Sequence, residues 1–196
     1  MPLSFAPFGL RPVAAMGSHG NEVRQYAAPN GANCPDLAVG TPVGLTAGVV
    51  VSAGGGTGPL LGVCAGFAWV DPTSKQPQIR PYLPADTSSA GFIDGDNRPA
   101  VYVYDNPELI YMVQADASVS AGDIGLNFNV TATAADANDS VFGVSRYALD
   151  ASTRTSALTG AVKLIGFARL PDNAMSDPFP VVLVRMNSAI ALVSAT

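Results

Sequence analysis

The sequence predicts an all-β fold, a β-sandwich or a β-barrel or tulip-like domain with an extended N-terminal arm, on three observations. Glu and Lys, the usual fillers of exposed helix faces, number only two each in 196 residues. Short β-branched runs recur between clusters of Gly, Pro, Asn and Asp, the punctuation of sandwiches and barrels. No segment sustains the 3.6-residue apolar period of an amphipathic helix. The chain therefore divides into an arm over 1–35 and a β-rich domain over 36–196.

The arm is read from its prolines. Pro2, Pro7, Pro12, Pro29 and Pro35 alternate with glycines and with Phe5, Phe8 and Leu10. Prolines at that density exclude a helix and favour extended backbone. Such a segment cannot form a core alone, so its apolar side chains need another surface to cover them. Docking is the expected role, with Phe5, Phe8, Leu10, Arg11 and Pro12 as contacts. Arg11 is the polar anchor, because a guanidinium fork can grip a carboxylate or backbone carbonyls. Removing residues 1–20 is then expected to weaken attachment and leave the strand content intact.

Within the domain, strands are expected over 39–53, broken at Gly40-Thr41-Pro42, and over 60–70 beyond a glycine-rich turn. A short extended piece follows over 79–83, after the turn at Asp71-Pro72. Over 100–104, Val101 and Val103 share one face and Tyr102 and Tyr104 the other. Beyond Asp105-Asn106-Pro107, residues 109–115 read as the hairpin partner of that strand. Further strands are expected over 124–131, 141–148 and 161–168, with 132–139 a loop or a single helical turn. The run Val181-Val182-Leu183-Val184 within 180–186 reads as a strand buried on both faces.

Composition narrows the chemistry. One histidine, two cysteines and two glutamates leave few groups to act as general bases, metal ligands or nucleophiles. A net charge of −5 without any basic run argues against nucleic acid as a partner. The longest apolar run, 60–70, falls short of the roughly 18 residues of a membrane span. No charge precedes the apolar opening and prolines break it, so no signal peptide is expected and folding is expected in the cytosol. Hydrophobic content of 48% with 13% charged residues predicts surface covered by other subunits.

Five features invite chemistry and are read as structural. Gly54-Gly55-Gly56-Thr57-Gly58 lacks the lysine and the helix of a phosphate loop. Asp94-Gly95-Asp96-Asn97 opens like a calcium loop, but Arg98 falls at the next ligand position and no glutamate closes it. His19 has no Gly-x-Ser-x-Gly elbow to serve. Cys34 and Cys64 lack CxxC spacing and read as buried, reduced thiols. Trp69, Tyr102, Tyr104, Tyr111 and Phe128 could line a sugar platform, yet alternating strand positions favour core or subunit contacts. No catalytic residue, metal or cofactor is assigned.

The order of segments carries a resemblance. It opens with residues 8–13 (FGLRPV) and continues through 40–43 (GTPV), 49–51 (VVV), 61–66 (LGVCAG) and 81–85 (PYLPA). It runs on through 105–107 (DNP), 111–116 (YMVQAD), 148–153 (ALDAST), 164–167 (LIGF) and 182–187 (VLVRMN). These pieces resemble capsid decoration proteins of tailed bacteriophages, also called cement or auxiliary head proteins. The resemblance implies a β-rich homo-oligomer, most often a trimer, on the outer surface of the virion. It would bind a separate major capsid protein and clamp neighbouring capsomers against the pressure of the packaged genome. It implies no enzyme, cofactor, nucleic acid or membrane. Two other readings stay open: a virion-surface carbohydrate-binding or adsorption module, and a small hydrolase drawing its base from His19 or an aspartate. The major capsid protein itself is disfavoured, because no long helix is found.

Overall fold

The computed structural model describes residues 4–15, 22–28, 36–53, 60–71, 73–84, 98–132, 138–139 and 143–187. Strands dominate, and no α-helix occurs among the described residues. One six-stranded antiparallel sheet orders β1 (Arg11–Ala15), β10 (Leu109–Gln114), β16 (Val181–Met186), β15 (Val162–Phe167), β11 (Asn127–Ala132) and β14 (Tyr147–Thr155). A second orders β2 (Arg24–Ala27), β9 (Ala100–Tyr104), β6 (Gly62–Val70), β4 (Pro42–Thr46) and β5 (Val49–Ser52). Its sixth strand, β7 (Pro77–Arg80), pairs with the end of β6. Two-residue pairs, β3 (Leu37–Ala38) with β8 (Tyr82–Leu83) and β12 (Asn138–Asp139) with β13 (Val144–Ser145), complete the fold.

Period-2 alternation explains why these stretches are strands. In β9, Val101 and Val103 are buried while Tyr102 and Tyr104 are only partly covered. In β16, central between β10 and β15, Val182 and Val184 enter the core and Leu183 is partly covered on the other face. The first sheet curls. Ala115 forms an isolated parallel bridge to Leu149, Asp116 donates its amide to the Leu149 carbonyl at 3.0 Å, and β14 is thereby drawn towards β10. A single bridge does not close the sheet, so the architecture is sandwich-like and the barrel alternative is set aside.

Each sheet has its own core. Tyr111, Phe128, Leu149 and Val182 centre the first, and Phe67, Val43, Val101 and Leu83 the second. Strand β6 serves both, with Val63 in the first cluster and Cys64 and Phe67 in the second. A seam of hydrogen bonds joins them. Leu10 donates its amide to the Gly40 carbonyl at 2.9 Å, and Ser145 donates to Val39 at 3.1 Å. Across the same seam the Ser52 and Tyr147 hydroxyls lie 2.9 Å apart.

Three expectations need correction. Residues 100–104 and 109–115 are not hairpin partners: β9 and β10 lie in different sheets, and the turn between them crosses the seam. The expected strand over 141–148 is instead short β13 followed by β14, which runs on to Thr155. The described parts of 1–35 do not stand apart as an arm. β1 pairs with β10, β2 pairs with β9, and Leu10, 1% exposed, belongs to the first core. The prolines do keep this segment extended, but extended backbone is also what an edge strand requires. Gly9 makes the entry possible. Its φ is +73°, and a Cβ there would meet the Gly40 carbonyl oxygen at 2.6 Å.

Candidate docking surface

Among the described residues, no group of three or more His, Cys, Asp or Glu could hold a metal ion. No helix among them is long and apolar enough to cross a membrane. His19, Cys34, the glycine-rich 54–58 and Asp94 with Asp96 lie outside the described residues. Cys64 is a free thiol, and complete burial pushes its pKa up, which keeps it protonated and unreactive. Of the aromatics considered for a sugar platform, Tyr111, Phe128 and Trp69 are buried, so they pack the cores.

The residues expected to dock separate into three situations. Phe5 is 39% exposed and packs on Phe179, ring centroids 5.0 Å apart. Phe8 lies beneath the Arg11 guanidinium, which sits 5.2 Å from its ring centroid, a cation–π stack. Leu10 is inside the core, so it leaves the set of surface contacts. Arg11 is exposed, and among the described residues no carboxylate forms an ion pair with it. Pro12 is half-buried opposite Tyr111 of β10.

The segment before Gly9 is held by a residue that local patterning does not reveal. Gln114, 3% exposed at the end of β10, accepts the Ala6 amide at 2.8 Å. Its side-chain amide donates to the Ser4 carbonyl at 2.9 Å and to the Phe179 carbonyl at 3.3 Å. One side chain thus pairs residues 4–6 much as a neighbouring strand would. The sequence signal is a single polar residue ending an apolar strand, Tyr111-Met112-Val113-Gln114, which earns notice only once burial is known.

The loop between β15 and β16 is held in a similar way. The Asn173 amide donates to the carbonyls of Ala168 at 2.7 Å and Val181 at 2.8 Å, and its oxygen accepts the Val181 amide at 2.8 Å. Asp177 accepts the Ala174 amide at 2.7 Å. These bonds tie down a loop whose apolar Leu170 and Met175 are 41% and 50% exposed.

Beside β1 the seam opens into a groove of about 430 Å³. Leu10, Pro12, Val39, Pro81 and Val144 line it, and Arg11 is the charged residue of its wall. The face around β1 combines apolar groups with an exposed cation.

Comparison of the chain with protein-family models, with curated proteins and with solved structures found no match.

Proposed function

We propose that the chain is a structural virion protein that binds the outside of an icosahedral phage head as an oligomer and cements neighbouring capsomers. The observation that carries this reading is the pre-set N-terminal face. Phe5 is pinned on Phe179 through Gln114, and Arg11 is stacked over Phe8. Side chains fixed before contact lose little entropy on docking, so an exposed ring and a guanidinium held this way are suited to anchor an interface. Several linked copies would multiply a weak foothold, by roughly 10² to 10⁴ in avidity, without any new contact. The segment resemblance to decoration proteins supports the same reading.

Adding the purified protein to phage heads that lack it tests the proposal. Electron microscopy should show ordered density on the outer surface. The variant Phe5→Ser should lose most of that density while keeping its circular dichroism. Heads that stay bare with wild-type protein would sink the reading, and binding on a glycan array would favour an adsorption module in its place.

A further inference from the structure

We infer that the loop between β15 and β16 is the plug of a head-to-tail contact, and that the groove beside β1 on a second copy is its socket. The inference deepens the oligomer part of the proposed function and rests on it. Three features of the structure meet in it.

The first is the loop's rigidity. The three bonds of Asn173 and the Asp177 turn order the backbone of a loop on which Leu170 and Met175 are exposed. Ordered apolar side chains displayed this way are an interface waiting for its partner.

The second is fit. The groove of about 430 Å³ lies within the roughly 300–1,000 Å³ of clefts that enclose small ligands, room enough for a loop tip. Its wall is mostly apolar, as Met175 and Leu170 require.

The third is charge. Asp172 and Asp177 flank Met175 and Arg169 precedes Leu170, so the loop is acidic by one net charge, while the groove wall carries Arg11. With Met175 leading, Asp177 approaches Arg11 and brings opposite signs together at the rim, where they set orientation and partner choice. A copy approaching with its own groove foremost would instead bring Arg11 against Arg11.

Loop and groove share no residue, so every copy offers both halves and the contact is heterologous. Such contacts either close into rings or run on as filaments. The discrete oligomer of the proposed function corresponds to the ring.

Light scattering after size exclusion, with wild type and two variants, tests the inference. Wild type should run as one discrete oligomer at micromolar concentration. Met175→Asp spoils the plug and Arg11→Glu spoils the socket. Each alone should run as a monomer, its association weakened at least ten-fold. Mixed in equal amounts, the two retain one intact plug and one intact socket between them and should form a one-to-one pair and nothing larger. If either variant loses its strand signal, Leu170→Asp is read in place of Met175→Asp and Arg11→Gln in place of Arg11→Glu. A monomeric wild type, variants that assemble as wild type does, or a mixture that fails to pair would each overturn the inference. The head-binding experiment remains separate: a monomer that still decorates heads defeats this contact and leaves head binding standing, and a ring that leaves heads bare defeats head binding and leaves the contact standing.

Discussion

Ala47 and Gly48 form the two-residue turn between β4 and β5, with φ of 50° and 78°. Positive φ at both positions defines a type I′ turn, which matches the twist of the strands but crowds an alanine Cβ against backbone. Asparagine tolerates that region better. Ala47→Asn should therefore stabilise the fold by about 1 kcal/mol, seen as a rise of roughly 2–4 °C in the thermal midpoint. A lower midpoint would contradict the turn assignment. Two aspartates give the molecule opposing responses to acid. Burial pushes the Asp123 carboxyl up, but the Ser120 amide and hydroxyl and Arg154 outweigh that and hold it below the usual range. Its contribution is present above the unfolded value of about 4 and is lost as pH falls through the lower folded value. Asp116 goes the other way. Burial raises its pKa and nearby Asp150 adds to the effect, against the Ala151 amide that lowers it. Its stabilising share is complete below the unfolded value and is lost as pH rises through the folded one. Asp123→Asn should thus destabilise at pH 7 by about 1–2 kcal/mol, with the deficit shrinking towards pH 3. Asp116→Asn should leave the pH 7 midpoint unchanged or higher. Melts across that range check both, and identical pH profiles for the two variants would refute the assignment.

Element by element, β10 shows how one side chain can replace a strand. Because Gln114 is the only described side chain that bonds the backbone of both Ser4 and Ala6, Gln114→Ala should free residues 4–6 without dissolving the sheet. The expected cost is about 1–3 kcal/mol, with faster hydrogen exchange confined to the first residues and to Phe179. Exchange that quickens evenly over the first sheet would show a general packing role for Gln114. The strands themselves were legible to different degrees. Residues 100–104 stand out by alternate valines and 181–186 by an unbroken apolar run, and the structure places strands there almost residue for residue, although Leu183 and Arg185 are only partly covered and β16 is not buried on both faces as that run suggests. Strand pairing was less legible. The turn at Asp105-Asn106-Pro107 looks like a hairpin turn, but β10 cannot pair back on β9, because β6 and β2 already occupy both edges of that strand. β1 and β2 were hidden by prolines and polar residues, which edge strands tolerate because one side of their backbone faces solvent. The far half of β14 was hidden for the same reason, since Ser152 and Arg154 point outwards. Phe5 and Arg11 could be picked out as exposed anchors from residue type alone. Gln114 and Asn173 could not, because their partners are backbone groups that only the folded chain brings near.

At the scale of the whole molecule, two cores share one entrance. The chain comes in past Gln114, turns at Gly9, buries Leu10 in the first core and continues as β1. At that entrance Gly9 donates its amide to the Tyr147 carbonyl and Leu10 donates to Gly40, so the incoming segment bonds to both sides of the seam. This changes what truncation should do. Removing residues 1–6 takes away Phe5 and the bonds of Gln114 to Ser4 and Ala6 but leaves Leu10 and β1, so the melt should remain one cooperative transition, a few degrees below the wild-type midpoint. Removing residues 1–20 deletes a core leucine, a loss of about 2–5 kcal/mol by itself, together with the strand that covers β10. Against a total stability of roughly 5–15 kcal/mol, that leaves little margin. The longer deletion should therefore melt far below wild type or fail to fold, and should bind hydrophobic dyes. The shorter one should look native by circular dichroism and fail only in attachment to heads. Calorimetry on both truncations separates an anchor from a core element within one contiguous segment. If the longer form kept the wild-type midpoint, the segment would be an appendage after all, and Leu10 would return to the docking set.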